Sequence, residues 1–164
     1  MKIITLTLNP AFDTHCYIEN FKPYYENLAK VTSFDACGKG VNISRTLNVG
    51  GVENTAFLLL GEDNADAFKK RLDKDGINFS EITVKGKIRE NITVHTDGKN
   101  ETRISFEGFE CDDGILDRVA GMLDKDLIDT VVTFTSPATL VIKAYICCFF
   151  KCLLAGIKNL SLEV

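Results

Sequence analysis

Five apolar residues in a row, Ala56-Phe57-Leu58-Leu59-Leu60, set the tightest limit on what this chain can become. A strand that alternates apolar with polar residues can leave one face in water. An unbroken run is buried on both faces, the habit of parallel sheets covered by helices on each side. Helical patterns flank it. Val41, Ile43, Leu47 and Val49 precede it and close at Gly50-Gly51, while Ala65, Phe68 and Leu72 follow and stop at Gly76. Lys2 to Leu8, ended by Asn9-Pro10, reads as a second buried strand, and 79–84 and 129–135 as two more. A further helix spans 112–123, with Ile115, Leu116, Val119 and Met122 in register. Strand–helix alternation of this kind predicts one mainly parallel, doubly wound sheet containing 2–8, 54–60, 79–84 and 129–135.

Two hairpin signals fall outside that pattern. His15 to Phe21 and Asn27 to Phe34 flank Lys22-Pro23-Tyr24, and 91–95 and 102–106 flank Asp97-Gly98. Their polar faces predict a small separate lid. The whole chain of 164 residues, 45% apolar and 26% charged, is long enough to bury a core of its own. Its formal net charge of -4, without a basic stripe, argues against nucleic acid as a partner. Asn9, Pro10 and Asp13 interrupt the apolar start, so no signal peptide is read and a cytoplasmic protein is expected. Cys16, Cys37 and Cys111 are scattered, and Cys147, Cys148 and Cys152 have no second cluster to complete a zinc site with His15 and His95. Reduced thiols and no metal are expected.

The carboxyl-terminal stretch differs in composition. Residues 137–164 hold 19 apolar residues out of 28 and a charge of +2, from Lys143, Lys151 and Lys158 against Glu163. Those lysines leave no run of the ~20 apolar residues that a membrane span needs. Leu140 to Ile157 is read instead as a buried helix, and 136–164 as an atypical apolar tail on a domain covering 1–135.

Three short segments carry chemistry. Cys37-Gly38-Lys39-Gly40-Val41-Asn42 places paired glycines before a helix, where backbone N–H groups and a positive dipole end meet an anion and Lys39 adds a charge. It lacks the P-loop spacing. Leu8-Asn9-Pro10-Ala11-Phe12-Asp13 sets a carboxylate just beyond the first strand, where parallel-sheet proteins bind ligands, and Asp13 suits vicinal hydroxyls. Arg89, in Ile88-Arg89-Glu90-Asn91, could pair bidentately with phosphate. Taken singly, each also reads as an ordinary turn or surface residue.

Taken together, in this order over 1–135, they resemble the PfkB (ribokinase-like) carbohydrate kinases. Asn-Pro-Ala-x-Asp is similar to the start of the 1-phosphofructokinase and tagatose-6-phosphate kinase branch. The resemblance implies an α/β, ribokinase-like fold: a mainly parallel three-layer sheet with a small β lid inserted at about 14–34 and 91–106. It implies transfer of the ATP γ-phosphoryl group to a ketohexose phosphate, with Mg2+ as the companion ion. Asp13, Gly38 and Asn42 would hold the sugar, Lys39 and Arg89 its phosphate with Asn91 beside them, and the lid would pair two subunits. Cys37 departs from the family's usual glycine, and Phe106-Glu107-Gly108-Phe109 from its Asn-x-Pro-Gly. The family's Gly-Ala-Gly-Asp motif, which carries the catalytic base below ATP, is found nowhere in the sequence, and only Ser136-Pro137 matches its Gly-Ser-x-Pro turn. The expectation is therefore the amino-terminal, sugar-binding half of a phosphosugar kinase, without the carboxyl-terminal half of the fold, the ATP site or a catalytic residue. The alternative is a non-catalytic sugar-phosphate-binding remnant.

Overall fold

Strand β1 (Lys2–Thr7) is the centre of the structure, because it carries buried groups of two kinds on its two faces. Ile4 and Leu6 point to one side and Thr5 and Thr7 to the other. The computed structural model describes residues 2–98, 101–112, 114–123, 130–134 and 160–162. Beside β1 lie β4 (Thr55–Gly61), then β5 (Phe79–Val84) on one flank, and β8 (Thr130–Phe134), then β9 (Leu160–Leu162) on the other. All four ladders are parallel, with Leu6 opposite both Phe57 and Phe134. The expected single parallel sheet is therefore present.

The unbroken apolar run of β4 divides by parity. Phe57 and Leu59 join Ile4, Leu6, Val84 and α3 (Ile115–Leu123) through Ile115 and Val119. Ala56, Leu58 and Leu60 face Val41 of α1 (Lys39–Val49) and Phe68 and Leu72 of α2 (Ala65–Lys74). Helices thus cover both faces, giving three layers.

The lid is one four-stranded sheet of order β3-β2-β6-β7, made from β2 (Ala11–Tyr17), β3 (Lys30–Cys37), β6 (Arg89–His95) and β7 (Glu101–Ser105). The β2–β3 and β6–β7 pairs are antiparallel hairpins, and β2 joins β6 in parallel. Here the structure corrects the strand limits read from sequence. β2 begins at Ala11 rather than near residue 14, β3 runs on to Cys37, and β6 begins at Arg89. The reason is packing at the root of the lid. Phe12, Ala36 and Ile88 are buried in the same cluster as Phe68, and Phe12 stacks on Phe34 with ring centroids 5.1 Å apart. Burial there extends the ladders into the core, while Tyr24, Tyr25 and Leu28 near the lid tip stay exposed. The third helix starts at Ile115, three residues later than read from 112–123. The helix read over 140–157 and the boundary at 135–136 lie outside the described residues. Strand β9, inside the apolar tail, had no signal of its own.

Candidate functional site

A cleft of about 480 Å³ opens where the lid leaves the main sheet. Three elements deliver its wall. Thr7, Asn9 and Ala11 come from the β1–β2 passage, Cys37, Gly38, Lys39 and Asn42 from the β3–α1 turn, and Asp13, Arg89, Asn91, Arg103 and Ser105 from the lid. All six residues proposed from sequence, Asp13, Gly38, Lys39, Asn42, Arg89 and Asn91, line this one cleft.

Register explains the lid's contribution. Asp13 on β2 stands opposite Asn91 on β6, which stands opposite Ser105 on β7, so all three share a face. Asn91, 2% exposed, uses both ends of its amide. Its Nδ2 donates to Asp13 Oδ1 at 2.5 Å, and its Oδ1 accepts from Arg89 Nη1 at 3.0 Å. Arg103 Nη2 lies 3.6 Å from the same Asp13 oxygen. Sequence reasoning missed Arg103 and Ser105. The Asp97-Gly98 hairpin held the signal, because pairing 102–106 against 91–95 turns alternate residues of β7 toward Asn91. Burial holds the Arg89 guanidinium below the usual arginine value, with Arg103 adding to this and Asp13 opposing it. Its Nε is buried and has no hydrogen-bond partner among the described residues. Further out on this face, His15 Nδ1 is 3.0 Å from His95 Nε2, with the two rings stacked 15° from parallel.

The turn is shaped by its glycines. Gly38 has φ +155° and ψ 146°, a backbone region kept for glycine, and a Cβ there would come 2.5 Å from Thr7 Cγ2. Helix α1 has no side-chain cap bond and no acidic residue in its first turn, so its positive end meets Lys39 uncompensated. Lys39, Arg89 and Arg103 against Asp13 give the cleft wall a formal charge of +2 (three cations less one anion) in a chain of net charge -4. The arrangement sets cationic donors for an anion and a carboxylate acceptor for hydroxyls in one cleft.

The Cys37 thiol is pushed up to about 12, by burial first and by the neighbouring Asp13 charge second. It is therefore a neutral S–H at physiological pH and a poor nucleophile. Its folded value exceeds the unfolded one, so the associated stability is complete below the ordinary thiol range and is lost as pH rises toward about 12. Iodoacetamide at pH 8 is expected to spare Cys37 in the native chain and to label it after denaturation, read by peptide mass spectrometry. Rapid native labelling would show the thiol to be open and ionised. Among the described residues no group of His, Cys, Asp and Glu is arranged to hold a metal, and no helix is long and apolar enough to cross a membrane.

The sequence pattern of the pfkB family carbohydrate kinases matches residues 7–113. The 1-phosphofructokinase of Escherichia coli K12 is 33% identical over 109 residues, covering 66% of this chain and 35% of that protein. The 1-phosphofructokinase of Borreliella burgdorferi is 37% identical over 103 residues, covering 63% of this chain and 33% of that protein. Among solved structures, phosphofructokinase-2 from Escherichia coli in complex with fructose-6-phosphate is similar at a TM-score of 0.87 and 17% identity, covering 99% of this chain and 55% of that one. The expected ribokinase-like α/β fold is thus borne out. The chain spans about a third of the length of these curated relatives and about half of the solved structure.

Proposed function

Because this chain belongs to the pfkB family of carbohydrate kinases, we propose that its cleft is the phosphosugar site of such a kinase. The ligand is a phosphorylated ketohexose, with its hydroxyls toward Asp13, Gly38 and Asn42 and its phosphate toward Lys39, Arg89 and Arg103. One observation carries this reading. The continuous chain from Arg89 through Asn91 to Asp13 fixes a cation and a hydroxyl acceptor on one wall, at 3.0 and 2.5 Å. A carboxylate accepts from sugar O–H groups, whereas guanidinium and ammonium groups donate to phosphate oxygens. The cleft's size falls within the range that small-molecule sites occupy. Asn91 acts here by holding its two neighbours, since both ends of its amide are in use.

In the whole family enzyme, ATP supplies the phosphoryl group and Mg2+ neutralises its charge. Mg2+ is typically held by one or two carboxylates together with the phosphates and water. Asp13, the one carboxylate among the described residues lining the cleft, is already engaged by Asn91 and Arg103. With Gly-Ala-Gly-Asp absent from the sequence, this favours binding and orientation without transfer by residues 1–164 alone. A second copy of the chain is the partner proposed for the lid, whose tip exposes Tyr24, Tyr25 and Leu28.

Calorimetric titration of purified 1–164 tests the reading. Fructose 1-phosphate, tagatose 6-phosphate or fructose 6-phosphate is expected to bind more tightly than the unphosphorylated sugar, and ATP with Mg2+ and each sugar to release no ADP above background. Equal affinity for fructose and its phosphates would remove the phosphate assignment. Clear turnover would place a base where none is assigned.

A further inference from the structure

We propose that Arg45 is a positioning residue: it orients the Asn42 side-chain amide so that its NH2 group, not its oxygen, is presented to the cleft. The inference rests on the phosphosugar reading for its ligand, but its geometry is independent of it. Arg45 lies three residues after Asn42 on α1, on the neighbouring turn. Its Nη1 donates to Asn42 Oδ1 at 2.8 Å. Its Nη2 donates to the Ala36 carbonyl at 2.9 Å, at the end of β3, and Nη2 and Nε both donate to Asp75 Oδ2, at 2.8 and 3.1 Å. A planar guanidinium hydrogen-bonded to Asn42, Ala36 and Asp75 at once has the direction of its Nη1 set by the other two partners.

Chemistry then decides which way the amide faces. Arginine has five donors and no acceptor, so the Asn42 atom that meets it must be the oxygen. The NH2 group is left for the cleft, which Asn42 lines. Asn42 therefore turns its donors to the cleft, with Arg45 occupying a lone pair of its oxygen. A ligand there presents an acceptor, and a lone pair of a sugar hydroxyl suits it. The Arg45–Asp75 ion pair, each side chain about one-third exposed, ties the orientation to the residue that caps the end of α2.

The test compares Arg45→Met, Asn42→Ala, their double variant and Asp75→Asn in the full 164-residue chain. Binding of tagatose 6-phosphate, fructose 1-phosphate and fructose 6-phosphate is measured by calorimetry, with inorganic phosphate as a probe that needs only the cations. Arg45→Met and Asn42→Ala are each expected to weaken the bound phosphosugar about tenfold, the scale of one lost hydrogen bond, and the double variant no further. Inorganic phosphate should change less than about threefold. Asp75→Asn, which keeps an acceptor for Arg45, should lower the melting temperature more than the affinity. A structural role for Arg45 alone would instead give additive losses for the sugar and phosphate probes alike, and would overturn the proposal. The second readout needs no ligand. The Asn42 side-chain NH2 pair, observed by 15N NMR, is expected to move to free-amide positions in Arg45→Met; unchanged signals would overturn the proposal. If the wild-type chain binds no phosphosugar, the kinase reading falls while these signals still decide the role of Arg45. Should Arg45→Met fail to fold, Arg45→Lys serves, because a single ammonium cannot reach all three partners, and the Asn42 signals are expected to shift again.

Discussion

Asp13→Ala is expected to move the affinities of two related ligands in opposite directions. The carboxylate offers charge-assisted hydrogen bonds to sugar hydroxyls, each worth about 1.5–3 kcal/mol, so losing two weakens a phosphosugar by about a hundredfold or more. Inorganic phosphate has no hydroxyls that need Asp13. It gains instead, because the anion 3.6 Å from Arg103 is gone and the cleft wall becomes more positive. Parallel titrations of wild type and variant with phosphosugar and with phosphate check this. Equal losses for both ligands would mean that Asp13 supports the lid rather than the sugar. The released partners make some structural cost certain, since Asn91 is buried and loses its acceptor. A loss limited to stability would therefore separate the two roles.

The largest expected effect on stability comes from a single methyl group. A Cβ on Gly40 would lie 2.5 Å from Thr7 Oγ1 and 2.8 Å from the Leu6 carbonyl oxygen. One of those is backbone of the central strand and cannot turn aside. Helix α1 cannot retreat either without giving up two bonds. The Val41 N–H donates to Thr7 Oγ1 at 3.1 Å, and the Thr5 and Ser44 hydroxyls share a buried bond at 2.7 Å. Alanine is the better helix former by about 1 kcal/mol. Overpacking outweighs that gain, and Gly40→Ala is expected to cost about 3 kcal/mol net. Because α1 carries Lys39 and Asn42, phosphosugar affinity should fall with stability. Urea unfolding followed by circular dichroism measures the first effect. A neutral or stabilised Gly40→Ala would show that the α1–β1 approach is looser than described.

The same glycines show how far sequence alone could reach. Gly38-Lys39-Gly40 before a helical period marked a turn able to accept an anion, and the unbroken run 56–60 required cover on both faces. The glycine turn and the cover on both faces are present because what encodes them is local. Covalent geometry, side-chain parity and helical periodicity act within a few residues, and each was readable without knowing what packs against it. The residues Asp13, Lys39, Asn42, Arg89 and Asn91 were nameable for a different reason: their motifs resemble those of a family.

Tertiary structure decided the rest. Sequence places Asp13 just beyond the first strand, but not that it is the third residue of the next one, where Phe12 is drawn into the core beside Phe68 and takes the ladder with it. The parallel pairing of β2 with β6, strands far apart in sequence, put Asn91 between Asp13 and Arg89 and brought Arg103 to the cleft. No local pattern encodes such a register, since it depends on which buried faces meet at the root of the lid. Sequence thus supplied the elements, the glycine turn and the cations. Long-range strand pairing supplied their arrangement around one carboxylate, and the binding reading follows from that arrangement.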